Sequence, residues 1–180
     1  GHTRVGGWTQ QNRTGIEYAD LDGDGTGEVV SAINGIFNRV TVFSATGTPL
    51  YNAQFGPGPT SAPYSTMRDM AVADLDDDGD LEIVVGISDG LVVALDHECR
   101  KVWARRLPSP PTQLEVITPP DAELPVIIAG CEDGTVARLS GAGEIEALGQ
   151  AGGRVTSLTV SATPEGPLAV TVTATGAVSG

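Results

Sequence analysis

The sequence predicts an all-β protein built from four-stranded antiparallel sheets, with about four such sheets in the chain. Short apolar segments beginning at Gly15, Asp69, Gln113 and Ser157 recur at intervals of 54, 44 and 44 residues. A loop, a second apolar run and a turn follow each segment, and three of the four turns are Asn-Gly or Asp-Gly pairs, which favour hairpins. A helical period persists nowhere over three turns. Four short strands repeated at this interval are typical of the blades of a β-propeller.

The strands take the same order within each repeat. Second strands begin at Glu28, Glu82, Val126 and Ala169, and third strands follow the turns. Fourth strands are expected near residues 49–51, 101–104 and 144–148, whereas the last repeat ends within its third strand. We therefore expect one propeller or half-propeller domain over residues 1–180. Its blades are expected at approximately 15–53, 69–107, 113–149 and 157–180, with an additional N-terminal strand at 3–9.

Composition limits the partners that the chain is expected to bind. The 180 residues carry a formal net charge of -13, which argues against nucleic acid and against an anionic membrane surface. No apolar run approaches the roughly 18 residues that a membrane-spanning helix requires. We expect neither nucleic-acid binding nor membrane insertion.

Two nine-residue segments carry acidic side chains at alternate positions. Residues 20–28 (DLDGDGTGE, the first acidic loop) and residues 74–82 (DLDDDGDLE, the second acidic loop) share the pattern D-x-D-x-D-G-x-x-E. Alternate carboxylates in a tight loop direct their oxygens toward a common centre, and the glycine permits the sharp turn. Such an oxygen shell suits a hard cation, calcium above all. The alternative is a pair of solvated acidic turns that bind no ion.

The pattern predicts two calcium sites. The seventh residue of such a loop usually contributes its backbone carbonyl, and the acid at the ninth position closes the shell. The expected ligands are Asp20, Asp22, Asp24, Thr26 and Glu28 in the first loop and Asp74, Asp76, Asp78, Asp80 and Glu82 in the second. An EF-hand is excluded because its twelfth position requires an acid, whereas Ser31 and Val85 stand there, and because strands flank both loops.

These strand–loop–strand units resemble the FG-GAP/VCBS repeats of integrin-like calcium-binding β-propellers. The resemblance is specific over residues 15–43 and 69–103. The corresponding loops of the third and fourth repeats, residues 118–125 and 162–168, depart from the pattern, and we expect them to be metal-free. The family usually has seven or eight blades, more than this chain supplies.

The expected function is that of a non-catalytic, calcium-stabilised propeller. A calcium ion in such a loop chiefly neutralises carboxylates that would otherwise repel one another, so no catalytic residues are expected. We expect an extracellular or cell-surface module that binds protein or glycan, because loosely binding calcium loops need roughly millimolar calcium. One alternative is the propeller portion of a polysaccharide lyase, although no cluster of Lys, Arg, Tyr and His is evident. Another is a half-propeller that completes a ring by self-association, for example as a homodimer.

A long connection between the first two repeats supplies candidate partner-binding residues. This segment, residues 54–68, is about ten residues longer than its counterparts. It contains Phe55, Tyr64, Met67 and Arg68, and Phe37 lies in a turn expected on the same face. Aromatic residues, methionine and arginine are enriched at interfaces. The alternative is a spacer without a binding role.

The two cysteines are expected to be free thiols. Cys99 falls in a turn between third and fourth strands, whereas Cys131 ends a second strand, so the predicted register places them on opposite faces. A disulfide requires Cα atoms within roughly 7 Å.

Overall fold

The computed structural model describes residues 12–34, 38–55, 66–119, 122–163 and 166–179. Every regular element in these ranges is a β-strand, and none of the described residues forms a helix long and apolar enough to cross a membrane. The strand expected at residues 3–9 lies outside the described residues. The strands are β1 (Asn12–Ala19), β2 (Glu28–Asn34), β3 (Asn38–Phe43), β4 (Pro49–Phe55), β5 (Met67–Ala73), β6 (Glu82–Ile87), β7 (Leu91–Leu95), β8 (Lys101–Arg106), β9 (Pro111–Ile117), β10 (Val126–Cys131), β11 (Thr135–Ser140), β12 (Ile145–Gln150), β13 (Val155–Thr163), β14 (Gly166–Thr173) and β15 (Val178–Ser179).

The strands form four antiparallel sheets, each made from strands that are consecutive in the sequence. Their orders are β1-β2-β3-β4, β5-β6-β7-β8, β9-β10-β11-β12 and β13-β14-β15, which we call blades 1 to 4. This confirms the predicted all-β class and its repeating antiparallel sheets. The first strands of the blades lie side by side, because β1 contacts β5, β5 contacts β9 and β9 contacts β13.

Hydrophobic clusters fill the spaces between consecutive blades. Val40 of blade 1 shares a cluster with Met70 of blade 2, and Val92 of blade 2 shares the next with Leu114 of blade 3. A third cluster joins blades 3 and 4. Because both faces of β6 are covered by neighbouring blades, all six of its residues are buried. The outer strands β8 and β12 are largely exposed.

Each first strand contains a β-bulge near its start. The pairing register shifts between Arg13 and Gly15 in β1, between Met67 and Asp69 in β5, and between Val155 and Ser157 in β13. A corresponding shift occurs where β9 pairs with the end of β10. An extra residue at a bulge lets the chain continue the strand while breaking the strict alternation of faces. The first strands begin two or three residues before the expected blade starts.

The direction of the strands assigns the connections to two ends of the blades. Strands alternate in direction, so the loops after first strands lie at the same end as the turns after third strands. Both acidic loops occupy that end, since they connect β1 to β2 and β5 to β6. The turns between second and third strands lie at the opposite end, together with the connections between blades.

Candidate metal centres

The first acidic loop brings three carboxylates together. Oxygen atoms of Asp20, Asp22 and Glu28 all lie within 4.8 Å of one another. Asp22 is exposed, whereas Glu28 is buried at the start of β2. The predicted ligand Asp24 is not part of this group; its Oδ1 accepts the backbone N–H of Thr26 at 2.7 Å.

The second acidic loop gathers a different set of the predicted ligands. Here the carboxylates of Asp74, Asp76 and Asp78 have oxygens within 4.8 Å of one another. Asp80 faces away from this group toward the turn after β7, where its Oδ2 lies 3.0 Å from His97 Nδ1.

The glutamate at the ninth position of each loop accepts a hydrogen bond from the backbone of the second residue. Glu28 Oε2 accepts the N–H of Leu21 at 3.1 Å, and Glu82 Oε2 accepts the N–H of Leu75 at 2.8 Å. Leu21 and Leu75 are 1% and 2% exposed and belong to the clusters between blades. These leucines therefore anchor the loops to the hydrophobic core. Neither leucine is among the predicted site residues, although both loops carry leucine at this position.

The glycine at the sixth position shapes each loop as predicted. Gly25 and Gly79 have φ of +89° and +94°, a region that a Cβ disfavours. Their amides donate to the first aspartate of each loop, at 2.9 Å to Asp20 Oδ2 and 3.1 Å to Asp74 Oδ2. Asp77 has φ of +64° without being a glycine, so the second loop holds a strained residue at its fourth position.

Two observations show that these loops fit a hard cation. Asp20 Oδ1 is buried and has no hydrogen-bond partner among the described residues, which is costly for a carboxylate oxygen. In the second loop the pKa of Glu82 is raised to about 7, chiefly by burial and further by the charges of Asp76, Asp78 and Asp74, while the hydrogen bond from the Leu75 amide lowers it. A cation would supply the missing partner and offset the repulsion. Oxygen-only donor sets match calcium better than softer metals.

The two acidic loops are connected to each other and to blade 3. Leu81 N–H of the second loop donates to the Leu21 carbonyl of the first at 2.8 Å. On its other side, the second loop packs against Gly141, where a Cβ would overlap the Leu75 carbonyl oxygen and lie 3.1 Å from its carbon. Trp103 of β8 donates to the Gly141 carbonyl at 2.9 Å. The loops are therefore part of the interfaces between blades.

The structure describes three of the five predicted partner-binding residues. Phe37 and Tyr64 lie outside the described residues. Phe55 is half-buried and lines a cavity of about 310 Å³ between blades 1 and 2. Met67 is 1% exposed and packs in the core, so its side chain is not part of the surface. Arg68 Nη2 lies 3.3 Å from Glu132 Oε1 at the end opposite the acidic loops.

A second cavity, of about 370 Å³, lies among the first strands of the blades. Its lining includes Glu17, Asp69 and Glu115, and the described lining residues include no Lys, Arg, His or Tyr. Burial raises the pKa of Asp69, although amides of Leu114 and Met70 donate to it. Burial and then the Asp69 charge raise the pKa of Glu115.

Both cysteines are free and buried. Cys99 belongs to the cluster between blades 1 and 2, whereas Cys131 belongs to the cluster between blades 2 and 3. Burial raises the thiol pKa to about 11 for Cys99 and about 12 for Cys131, so neither is readily ionised at neutral pH.

Comparison with solved structures shows that the fold is a β-propeller. BBS1N, crystallised in complex with ARL6DN, is similar to this chain with a TM-score of 0.66 and 17% identity. The match covers 91% of this chain and 55% of the BBS1N chain. The rhamnogalacturonan lyase YesX is similar over 98% of this chain and 42% of its own, with a TM-score of 0.66 and 15% identity. The computationally designed Ika4 protein gives a TM-score of 0.67 at 18% identity, covering 94% of this chain and 90% of that one. The chain thus spans about half the length of BBS1N and less of YesX.

A protein-family model matches part of the sequence. Residues 20–85 match the family model of the FG-GAP-like repeat, a segment that contains both acidic loops. This confirms the resemblance on which the calcium prediction partly rests. No curated protein sequence matches the chain.

Proposed function

We propose that this chain is a non-catalytic, calcium-stabilised β-propeller segment that acts outside the cell as a binding and assembly module for protein or glycan. The observation that carries the proposal is the convergence of carboxylates in both acidic loops. In the first of these, Asp20 Oδ1 is buried without a hydrogen-bond partner.

Calcium in these loops would act on stability. Each loop concentrates negative charge at an interface between blades, so an ion that binds only the folded loop shifts the equilibrium toward the folded state. The stabilisation is RT ln(1 + [L]/Kd), or about 2.7 kcal/mol per site at a hundredfold excess over Kd. For a domain of this size that corresponds to roughly 5–10 °C in melting temperature per site.

Calorimetric titration with calcium, paired with thermal melts, tests the proposal. We expect two sites per chain, with Asp22→Asn and Asp76→Asn each removing one, because both side chains are exposed members of the carboxylate groups. Glu144→Gln is the matched control, since Glu144 is an exposed acid in a turn at the same end of the blades. A count of zero, or two sites remaining in the double variant, contradicts the calcium assignment.

The calcium affinity of the two loops tests the proposal that the chain acts outside the cell. Extracellular calcium modules have Kd values of about 0.1–1 mM, whereas cytosolic sensors bind between about 0.1 and 10 µM. We expect the former range, because only part of each predicted ligand set converges and three of the six converging carboxylates are exposed. Binding in the cytosolic range contradicts an extracellular role.

The end opposite the acidic loops is proposed to bind the partner. There Phe55 lines the cavity between blades 1 and 2, and Arg68 offers a cationic group tied to Glu132. The solved structure of BBS1N with ARL6DN supports protein binding by a propeller of this fold. Phe55→Ala and Arg68→Ala are expected to weaken partner binding while leaving the calcium count at two.

A polysaccharide lyase activity is the second candidate, because YesX and YesW are rhamnogalacturonan lyases of similar fold. The cavity among the first strands provides carboxyl groups without a described basic residue or tyrosine, which disfavours lyase chemistry. Incubation with rhamnogalacturonan and measurement of unsaturated products by ultraviolet absorbance decides between the two. We expect no product, and turnover abolished by Glu115→Gln would establish the alternative.

A further inference from the structure

Blade 1 exposes a position that is buried in every other blade. The strand registers align Ile16 with Met70, Leu114 and Leu158. Those three residues are 6%, 6% and 5% exposed, whereas Ile16 is 50% exposed. Tyr18, two residues further along β1, is 68% exposed. We call Ile16 and Tyr18 the open face of blade 1.

Blade 4 shows the complementary feature on its opposite side. Val178 of β15 pairs with Val172 of β14, the register position that Val40 holds in blade 1 and Val92 holds in blade 2. Val40 and Val92 are both 0% exposed, whereas Val178 is 67% exposed. We call this the open face of blade 4.

The interfaces inside the chain show what these two faces match. Val40 packs in one cluster with Met70 of the following blade, and Val92 packs in one cluster with Leu114. Each internal interface therefore joins the third-strand valine of one blade to the first-strand apolar residue of the next. Val178 and Ile16 correspond by register to the two halves of such an interface. Because both are exposed, blade 4 of the same chain does not cover blade 1.

We propose that a second copy of this chain covers both open faces. Val178 of each copy packs against Ile16 of the other, which forms two identical interfaces related by a two-fold axis and closes a ring of eight blades, four from each copy. The inference deepens the assembly part of the proposed function. The ring is tested independently of the calcium sites, because the first test measures molecular mass and the second counts bound calcium. Either prediction can therefore be contradicted while the other stands.

Light scattering during size-exclusion chromatography tests the ring. At micromolar concentration the full chain is expected to have twice the 18.4 kDa mass of one chain. Ile16→Lys and Val178→Glu are each expected to halve that mass, because every interface contains one of each residue. Val102→Lys and Val102→Glu are the controls, since Val102 is 54% exposed on the outer strand β8, away from both open faces. These controls are expected to remain dimers.

The double variant Ile16→Lys with Val178→Glu separates a lost interface from a lost fold. It places opposite charges across each interface and is expected to regain the dimer, which a merely misfolded chain would not do. A wild-type mass of one chain, or a polymer larger than two chains, overturns the ring. The same conclusion follows if both single variants stay dimeric, or if the double variant stays monomeric while circular dichroism shows native strands.

Discussion

Replacement of Gly141 by alanine tests whether the second acidic loop depends on the next blade. A Cβ at this position would overlap the Leu75 carbonyl oxygen, and its neighbour is backbone that cannot rotate away. Overpacking of this kind costs about 1–3 kcal/mol. The displacement also threatens the Trp103–Gly141 hydrogen bond, which contributes about 1 kcal/mol.

The expected loss is therefore about 2–4 kcal/mol, or roughly 5–15 °C in melting temperature for a domain of this size. Because Leu75 is the second residue of the second acidic loop, calcium affinity is expected to fall mainly at that loop. Titration in the Asp22→Asn background reports the second loop alone, and titration in the Asp76→Asn background reports the first.

Gly149→Ala is the control for this substitution. Gly149 lies on the exposed strand β12, where the nearest atom to a Cβ is the Val136 carbonyl oxygen at 3.9 Å. It is expected to leave both stability and affinity unchanged. Gly141→Ala with wild-type stability, or with the larger affinity loss at the first acidic loop, would refute the reasoning.

Three further predictions concern single positions. Asp77→Gly is expected to raise the free energy of unfolding by up to about 1 kcal/mol in urea titrations, because glycine relieves the positive φ; a loss would show that the Asp77 side chain is needed. Glu115→Gln is expected to raise the melting temperature at about pH 7 but not at about pH 4. Because the pKa of Glu115 is raised in the folded state, its ionised form destabilises the fold, and that form is populated only as the pH rises. An equal gain at both pH values would contradict this. Gly130→Ala is expected to destabilise the chain because its Cβ would lie 2.5 Å from Val155 Cγ1, and Val155→Ala should recover part of the loss in a double-mutant cycle.

The sequence predicted what depends on local chemistry. Alternating apolar residues and the Asn-Gly or Asp-Gly turns located the strands, and acidic spacing located the two loops. The sixth-position glycines adopt the positive φ that the pattern requires. These features are set within a few residues of chain, so a single sequence is enough to expose them.

The bulges explain why Met67 was assigned to a surface connection. Met67 and Met70 are three residues apart, which strict alternation would place on opposite faces of a strand. The register shift between Met67 and Asp69 puts both side chains in the same core cluster. Val155 and Leu158 repeat the pattern in blade 4. A bulge depends on how the strand pairs with its neighbour, so the local sequence period does not reveal it.

The ligand sets were predicted less completely than the loops. The spacing identified the acids, but it did not indicate that Asp80 would face His97 or that Asp24 would accept a backbone N–H. Both outcomes depend on the direction of side chains within the folded loop. The exposure of Ile16 and Tyr18 in blade 1 could not be predicted from the sequence either. It is recognised only when these residues are compared with the less exposed residues at the same register positions in the other blades.

The hydrogen bond between Leu81 N–H and the Leu21 carbonyl has a thermodynamic consequence for the pair of loops. An ion that orders either loop also holds one side of this bond in place, so less conformational entropy is lost when the other loop fills. The two occupancies are then linked by one coupling free energy, and each raises the affinity of the other by the same factor. A calcium isotherm steeper than that of two independent sites would be its signature.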